Sequence, residues 1–230
     1  MLTIDIWSDL VCPFCWIGKR HLDNALAQLG PELGPVRLNW RPFQLDPQAS
    51  LAPVPLRQAY AEKFGGIERT EQLLAQTQAR ANAAGLPMDF SQGQVKVSTL
   101  PAHRLMQLAS AEGDAQAVAE ALFGAHFAHG QNLADIDVLT RAGAAGGLPS
   151  ARVRQWLSDG EGVTQLQADL AQGQALGISS VPTFVINGRY GIQGAQPPEQ
   201  LVQALRQIAA EMPGLPEHGG SIAAGHYGGF

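Results

Sequence analysis

A chain of 230 residues with 45% hydrophobic content is long enough to bury one large core, or one core with a satellite domain, and reads as a folded globular protein. Its formal charge of −5 comes without clustered Lys and Arg, which argues against nucleic acid and anionic membrane surfaces as partners. No uninterrupted apolar run approaches membrane-spanning length, and the start "MLTIDIWSDL" has no basic, apolar and small-residue leader pattern, so a cytoplasmic location is expected.

In chain order, "LTIDIW" alternates Leu2, Ile4 and Ile6 with Thr3, Asp5 and Trp7, the period of a strand. Cys15, Leu22, Leu26 and Leu29 then fall on one face of a helix that "QLGPELGP" stops. "VRLNWRPF" alternates again, with Val36, Leu38 and Trp40 on one side, and completes a βαβ unit with a right-handed crossover. From about Pro55 to Leu176 the apolar spacing is helical, broken at Gly65-Gly66, Gly113-Asp114, Gly130 and "GGLPS", with Asp114 and Ser150 predicted as N-caps. "VPTFVINGRYGIQG" returns to strand spacing around an Asn187-Gly188 turn. A last helix follows, with Pro198 in its first turn and Leu201, Val202, Leu205 and Ile208 as its buried stripe. This order predicts an α/β thioredoxin-like fold with a large all-helical insertion. Residues 1–48 and 177–212 form the thioredoxin-like domain, 49–176 the insertion, and 213–230 a Gly/Pro-rich tail.

Both cysteines, Cys12 and Cys15, lie in "DLVCPFCWIG" at the first strand-to-helix junction. A stapling disulfide across so short a loop gains only ~2 kcal/mol. Structural zinc would need two further ligands from among the histidines, and "ALFGAHFAHG" reads as a helix end that keeps His126 and His129 on its polar face or at its C-cap. The junction favours a redox pair. Cys12 at the N-cap faces unsatisfied backbone N–H groups and the positive helix end, which favours thiolate, and Pro13 suits the first helical position. Cys15, on the face that continues through Leu22 and Leu26, is then the buried resolving thiol, leaving Cys12 as the accessible nucleophile. Phe14 and Trp16 flank it as candidate apolar contacts for substrate, Trp16 being equally readable as core. Lys19 reads as a solvated helix lysine, with proton handling as the alternative.

Four stretches, "SDLVCPFCWIGKR", "WRPFQLDP", "STLPAHRL" and "GISSVPTFVINGRYGIQGAQ", resemble in this order the DsbA family, over Ser8 to Gln196. Within it they resemble the FrnE-like branch related to 2-hydroxychromene-2-carboxylate isomerases. The first and last stretches are the specific ones; Ser98-Thr99 stands where such proteins often show Asn-Thr. The resemblance implies protein thiol-disulfide oxidoreductase or disulfide isomerase activity by dithiol-disulfide exchange. It implies Cys12, Cys15 and Pro182 as catalytic residues and Pro13, Phe14, Trp16, Val181 and His103 as candidates for substrate binding.

Sequence alone favours a trans Val181-Pro182 bond, but the resemblance implies a cis bond opposite the helix start, with the ring of Pro182 against Cys12 and the backbone groups of Val181 turned outward to pair with a peptide. His103 is read either as approaching the site or as a satisfied histidine at a helix N-terminus. No cofactor is expected beyond the Cys12–Cys15 disulfide; the partners are protein thiols and disulfides, with glutathione or a thioredoxin-type reductant as electron source. Relatives on this scaffold that use glutathione to isomerise or conjugate small aromatic substrates supply the alternative, and a zinc-binding module is a third. Because Pro13-Phe14 offers no cation and Asp9, if near, opposes a thiolate, a potential of about −270 to −180 mV is expected, between thioredoxin and protein disulfide isomerase.

Overall fold

The computed structural model describes residues 1–211, so the predicted tail at 213–230 lies outside the described residues. Strand β1 (Leu2–Ser8) leads into helix α1 (Pro13–Leu29), a 3-10 turn over Gly30–Leu33 and strand β2 (Val36–Pro42). β2 runs parallel to β1 in the register Leu2↔Val36 to Ser8↔Pro42, the predicted βαβ unit. The chain then makes strand β3 (Val54–Pro55), helices α2 (Leu56–Phe64) and α3 (Ile67–Ala83), and strand β4 (Val95–Lys96). Helices α4 (Leu100–Glu112), α5 (Ala115–Phe127), α6 (Ile136–Ala145), α7 (Ser150–Ser158) and α8 (Val163–Ala175) follow. Strands β5 (Thr183–Ile186) and β6 (Tyr190–Gln193) and helix α9 (Pro198–Ala210) close the fold. The main sheet has the order β2-β1-β5-β6, with β5 antiparallel to both β1 and β6.

Local signals explain most boundaries. Asn187 and Gly188 both take positive φ, and the N–H of Arg189 donates to the carbonyl of Ile186, closing the predicted hairpin. Asp114 caps α5 by accepting from the N–H groups of Gln116 and Ala117, and Asp135 caps α6 in the same way. Ser150 is not a cap: extended Pro149 is the N-cap residue of α7, and Ser150 is already its first helical residue. The β3–β4 ribbon, in which Val54 pairs with Lys96, was outside the helical pattern because strands this short carry no periodicity.

Two apolar cores share α1. Leu22, Ala25 and Leu29 pack with Ile4, Ile6, Phe184, Leu201 and Leu205 between the sheet and α9. Cys12, Cys15, Trp16 and Ile17 instead join a second core with Leu105, Leu108, Leu122, Phe123 and Phe127 of the inserted helices. Trp16 is only 1% exposed, stacked on Phe123 and Phe127 at ring distances of 6.1 and 6.0 Å, and its Nε1 donates to Glu120 at 3.0 Å. It is therefore a core residue rather than a surface contact. Trp7, on the polar side of the β1 alternation, is also buried, because α8 approaches at Gly173, where a Cβ would meet the indole at 2.5 Å. Lys19 is buried too and pairs with Asp23 one turn on at 2.6 Å, so it is not a solvated lysine.

His126 corrects another expectation. It does not sit on the polar face of α5 but is buried with its ring edge-to-face on Phe127, which belongs to the core that α1 shares with the inserted helices. Exposed His129 lies beyond the helix. Burial lowers the pKa of His126 from 6.5 to about 4. The unfolded chain therefore binds the extra proton first, so this contribution to stability is complete above pH 6.5 and disappears as the pH falls toward 4. The shift corresponds to about 3 kcal/mol in all, most of it lost by pH 4.5. Urea unfolding should show that His126→Gln loses about 2 kcal/mol less stability than wild type between pH 7 and 4.5; parallel losses would contradict it.

Candidate active site

Cys12 is the N-cap residue of α1, in extended conformation, and Pro13 occupies the first helical position. Its own N–H donates to the carbonyl of Asp9 at 3.1 Å and its carbonyl accepts from the N–H of Cys15 at 3.1 Å, which stacks the two residues in one tight turn. The thiol makes no cap bond to the helix. Cys12 Sγ instead donates to the carbonyl oxygen of Val181 at 3.8 Å. The Val181-Pro182 bond is cis, and the Pro182 ring seats on Gly18 of α1, where a Cβ would come within 2.8 Å of Pro182 Cγ. The carbonyl of Val181 thus faces the thiol, whereas outward-facing backbone groups were expected.

Burial is the main departure from the sequence reading. Cys12 is 4% exposed and Cys15 is 2% exposed, so Cys12, expected to be accessible, is no open surface thiol. The reason is tertiary: Val181 and the insertion both pack over the start of α1. Phe14, at 37%, is the exposed residue of the motif, and Pro13 is half-buried. Burial pushes the Cys15 thiol well above its ordinary pKa, and the adjacent Cys12 sulfur adds to this. The Ser8 hydroxyl and the backbone N–H of Asp9 act in the opposite direction. Tyr60 of α2 is raised to about 12, chiefly by burial and then by the charges of Cys12 and Asp9.

Asp9, between the strand and the motif, was weighed only as an opponent of the thiolate. It is buried, and its Oδ2 accepts from the N–H of Leu45 at 2.8 Å. His103, in the first turn of α4, uses Nε2–H to donate to the carbonyl of Phe43 at 2.9 Å, with Asp9 Oδ1 3.3 Å away. The N–H of Phe43 in turn donates to the carbonyl of Ser8 at 3.0 Å. His103 therefore clamps the segment after β2 against the strand end that carries the motif, and reaches the site through Asp9. Two of the stretches singled out in the sequence, "WRPFQLDP" and "STLPAHRL", meet at this carboxylate. Among the described residues, no group of three or more His, Cys, Asp or Glu is arranged to hold a metal ion, and no helix is long and apolar enough to cross a membrane.

A thioredoxin-type sheet, a dithiol at the start of α1 and a cis-proline beside it define the class of protein to which known relatives can be compared. Residues 3–206 match the DSBA-like thioredoxin domain, and the chain belongs to that family. The crystal structure of a probable DsbA oxidoreductase from Streptomyces coelicolor is 31% identical, with a TM-score of 0.86 over 94% of both chains. The Bacillus subtilis protein YwbO is 29% identical over 192 residues, 80% of this chain and 86% of that one. The cytosolic disulfide reductase DsbM from Pseudomonas aeruginosa shares the fold at 18% identity, with a TM-score of 0.63 over 90% of this chain and 98% of that one. A 2-hydroxychromene-2-carboxylate isomerase shares it at 14%, with a TM-score of 0.60 over 91% and 97%. The expected thioredoxin-like fold with a helical insertion holds.

The clamp can be tested on its own. His103→Leu leaves the Phe43 carbonyl without its side-chain donor in a buried setting, and should cost about 1–3 kcal/mol in thermal or urea unfolding. His103→Gln, which can still donate to the Phe43 carbonyl, should recover part of that loss; equal effects of the two variants would contradict the clamp.

Proposed function

We propose that this protein is a thiol-disulfide oxidoreductase that exchanges electrons with protein disulfides and dithiols through Cys12 and Cys15. The observation that carries the reading is the stacking of two free thiols in the first turn of α1, one at the N-cap beside Val181 and the other buried behind it. Cys12, at the N-cap and more exposed than Cys15, is the proposed attacking sulfur. It attacks a substrate disulfide, one substrate sulfur leaves as a thiol, and a mixed disulfide remains on Cys12. Cys15 then attacks Cys12 Sγ, releases the second substrate thiol and leaves the Cys12–Cys15 disulfide. Run backwards, the same steps oxidise a dithiol or reshuffle a wrong pairing.

Phe14 offers the exposed apolar surface of the motif beside Cys12, so an apolar segment of a protein substrate is the proposed ligand. The two-residue Pro13-Phe14 bridge carries no cation, which supports a potential of about −270 to −180 mV, suited to reduction or isomerisation in a cytoplasm with glutathione or a thioredoxin-type protein as reductant. The alternative, glutathione-dependent isomerisation of a small aromatic molecule, gives the second thiol no task. Cys15 therefore separates the two readings.

With a protein disulfide as substrate, Cys12→Ser should abolish turnover, whereas Cys15→Ser should accumulate a mixed disulfide on Cys12, visible as added mass on the intact protein. Equal trapping by both single variants, or trapping of glutathione alone, would contradict the proposal.

A further inference from the structure

The β5–β6 hairpin begins and ends against α1. At its start, the carbonyl of Val181 accepts from Cys12 Sγ at 3.8 Å. The Pro182 ring rests on Gly18, where a Cβ would come within 2.8 Å of Pro182 Cγ and 3.4 Å of Ala195 Cα. At its end, the carbonyl of Gln196 lies 2.9 Å from His21 Nδ1; since a carbonyl only accepts, Nδ1 carries the proton and donates. The two ends are also tied to each other. The N–H of Gly194 donates to the carbonyl of Pro182 at 2.8 Å, and Thr183 pairs with Gln193. Cys12, Gly18 and His21 are therefore three points along one helix to which a single hairpin base is pinned.

The three points differ in kind. The sulfur contact at Cys12 is long, and the seat on Gly18 is van der Waals packing, whereas His21 supplies a hydrogen bond of ordinary length to a residue 175 positions away. What the hairpin base covers is the attacking sulfur of the proposed exchange. Cys12 is 4% exposed, with Val181 packed on the core to which it belongs, so a disulfide reaches its sulfur only when that cover shifts. How often the cover shifts depends on how firmly its base is held.

We propose that His21 is a positioning residue for the exchange reaction: through Gln196, Gly194 and Pro182 it holds Val181 over Cys12 and sets how often the attacking sulfur is open. The proposal rests on the disulfide-exchange reading above and adds to it a residue that touches neither sulfur. His21 lies nine residues after Cys12, about 13 Å along the helix axis, so it acts on the thiol through the hairpin alone. The bonds made and broken in the exchange are unaltered; only the access of the first sulfur to its partner changes.

Iodoacetamide reads the exposure of each sulfur separately: in Cys15→Ser protein it reports on Cys12, and in Cys12→Ser protein on Cys15, with added mass on the intact chain as the measure. Introducing His21→Leu should speed alkylation of Cys12 at pH 7 by about 3- to 10-fold, the range by which losing one net hydrogen bond shifts an open population, and leave alkylation of Cys15 unchanged. His21→Asn, whose side-chain amide can donate from the place of Nδ1, should react at nearly the rate of the histidine protein. Gly18→Ala, which lifts Pro182 from the helix and leaves His21 in place, should also speed Cys12, and keeps the idea testable if His21→Leu folds poorly. A Cys12 rate unchanged in both His21→Leu and Gly18→Ala would overturn the positioning role. So would equal acceleration by His21→Leu and His21→Asn, because the donor would then not matter, or acceleration of Cys12 and Cys15 alike, which marks a general loosening of the fold. Turnover of a protein disulfide by the wild type, measured alongside, separates the two readings. Its absence would overturn the exchange, and the positioning role with it, whereas turnover with unchanged Cys12 rates would overturn the positioning role alone.

Discussion

Helix α1 has to bury two faces at once, and the arrangement of the site depends on that constraint. A helix beside an open sheet need bury only one stripe, and Leu22, Ala25 and Leu29 provide it. The first turns of α1 carry a second stripe, Cys12, Cys15 and Trp16, that would be exposed in a bare thioredoxin-like unit. The insertion covers it. Trp16 between Phe123 and Phe127 anchors that contact, with each aromatic pair adding about 0.5–1.5 kcal/mol beyond the area it buries. The dithiol thus sits at the seam where the insertion meets the sheet unit, so the insertion forms part of its surroundings.

That position governs the electrostatics. Two sulfurs in one turn cannot both ionise cheaply in a low-dielectric setting, and the structure separates them by environment. Cys12 has the helix terminus in front of it, whereas Cys15 is held neutral by burial and by its neighbour. The Asp9 carboxylate beside the pair accepts from the Leu45 N–H through Oδ2, with Oδ1 3.3 Å from His103 Nε2, and so fixes the chain after β2.

The sequence was most legible where the determinants are local. Period-two alternation revealed β1 and β2, Asn187-Gly188 the hairpin, and Pro13 after Cys12 the helix start, because each depends on residues within a few positions. It was least legible where the cover comes from afar. Trp7 and His126 looked like surface residues, Lys19 like a solvated one and Cys12 like an accessible one, until α8, Asp23, the insertion and Val181 were in place. Asp9 lay in plain view in "SDLVC", but its meaning depends on Leu45 and His103. Nothing in the spacing of those residues announces that they meet.

The enclosed dithiol faces two demands that pull in opposite directions. The proposed sulfur exchange would be served by a dry, fixed approach in which competing nucleophiles are excluded, and Val181 and the insertion pack over one side of the turn. Proton transfer needs water, and a sulfur buried on every side would keep its proton. In the proposed exchange a substrate would meet the face of Cys12 and Phe14, where Phe14 is the exposed residue of the motif and Cys15 lies buried behind it.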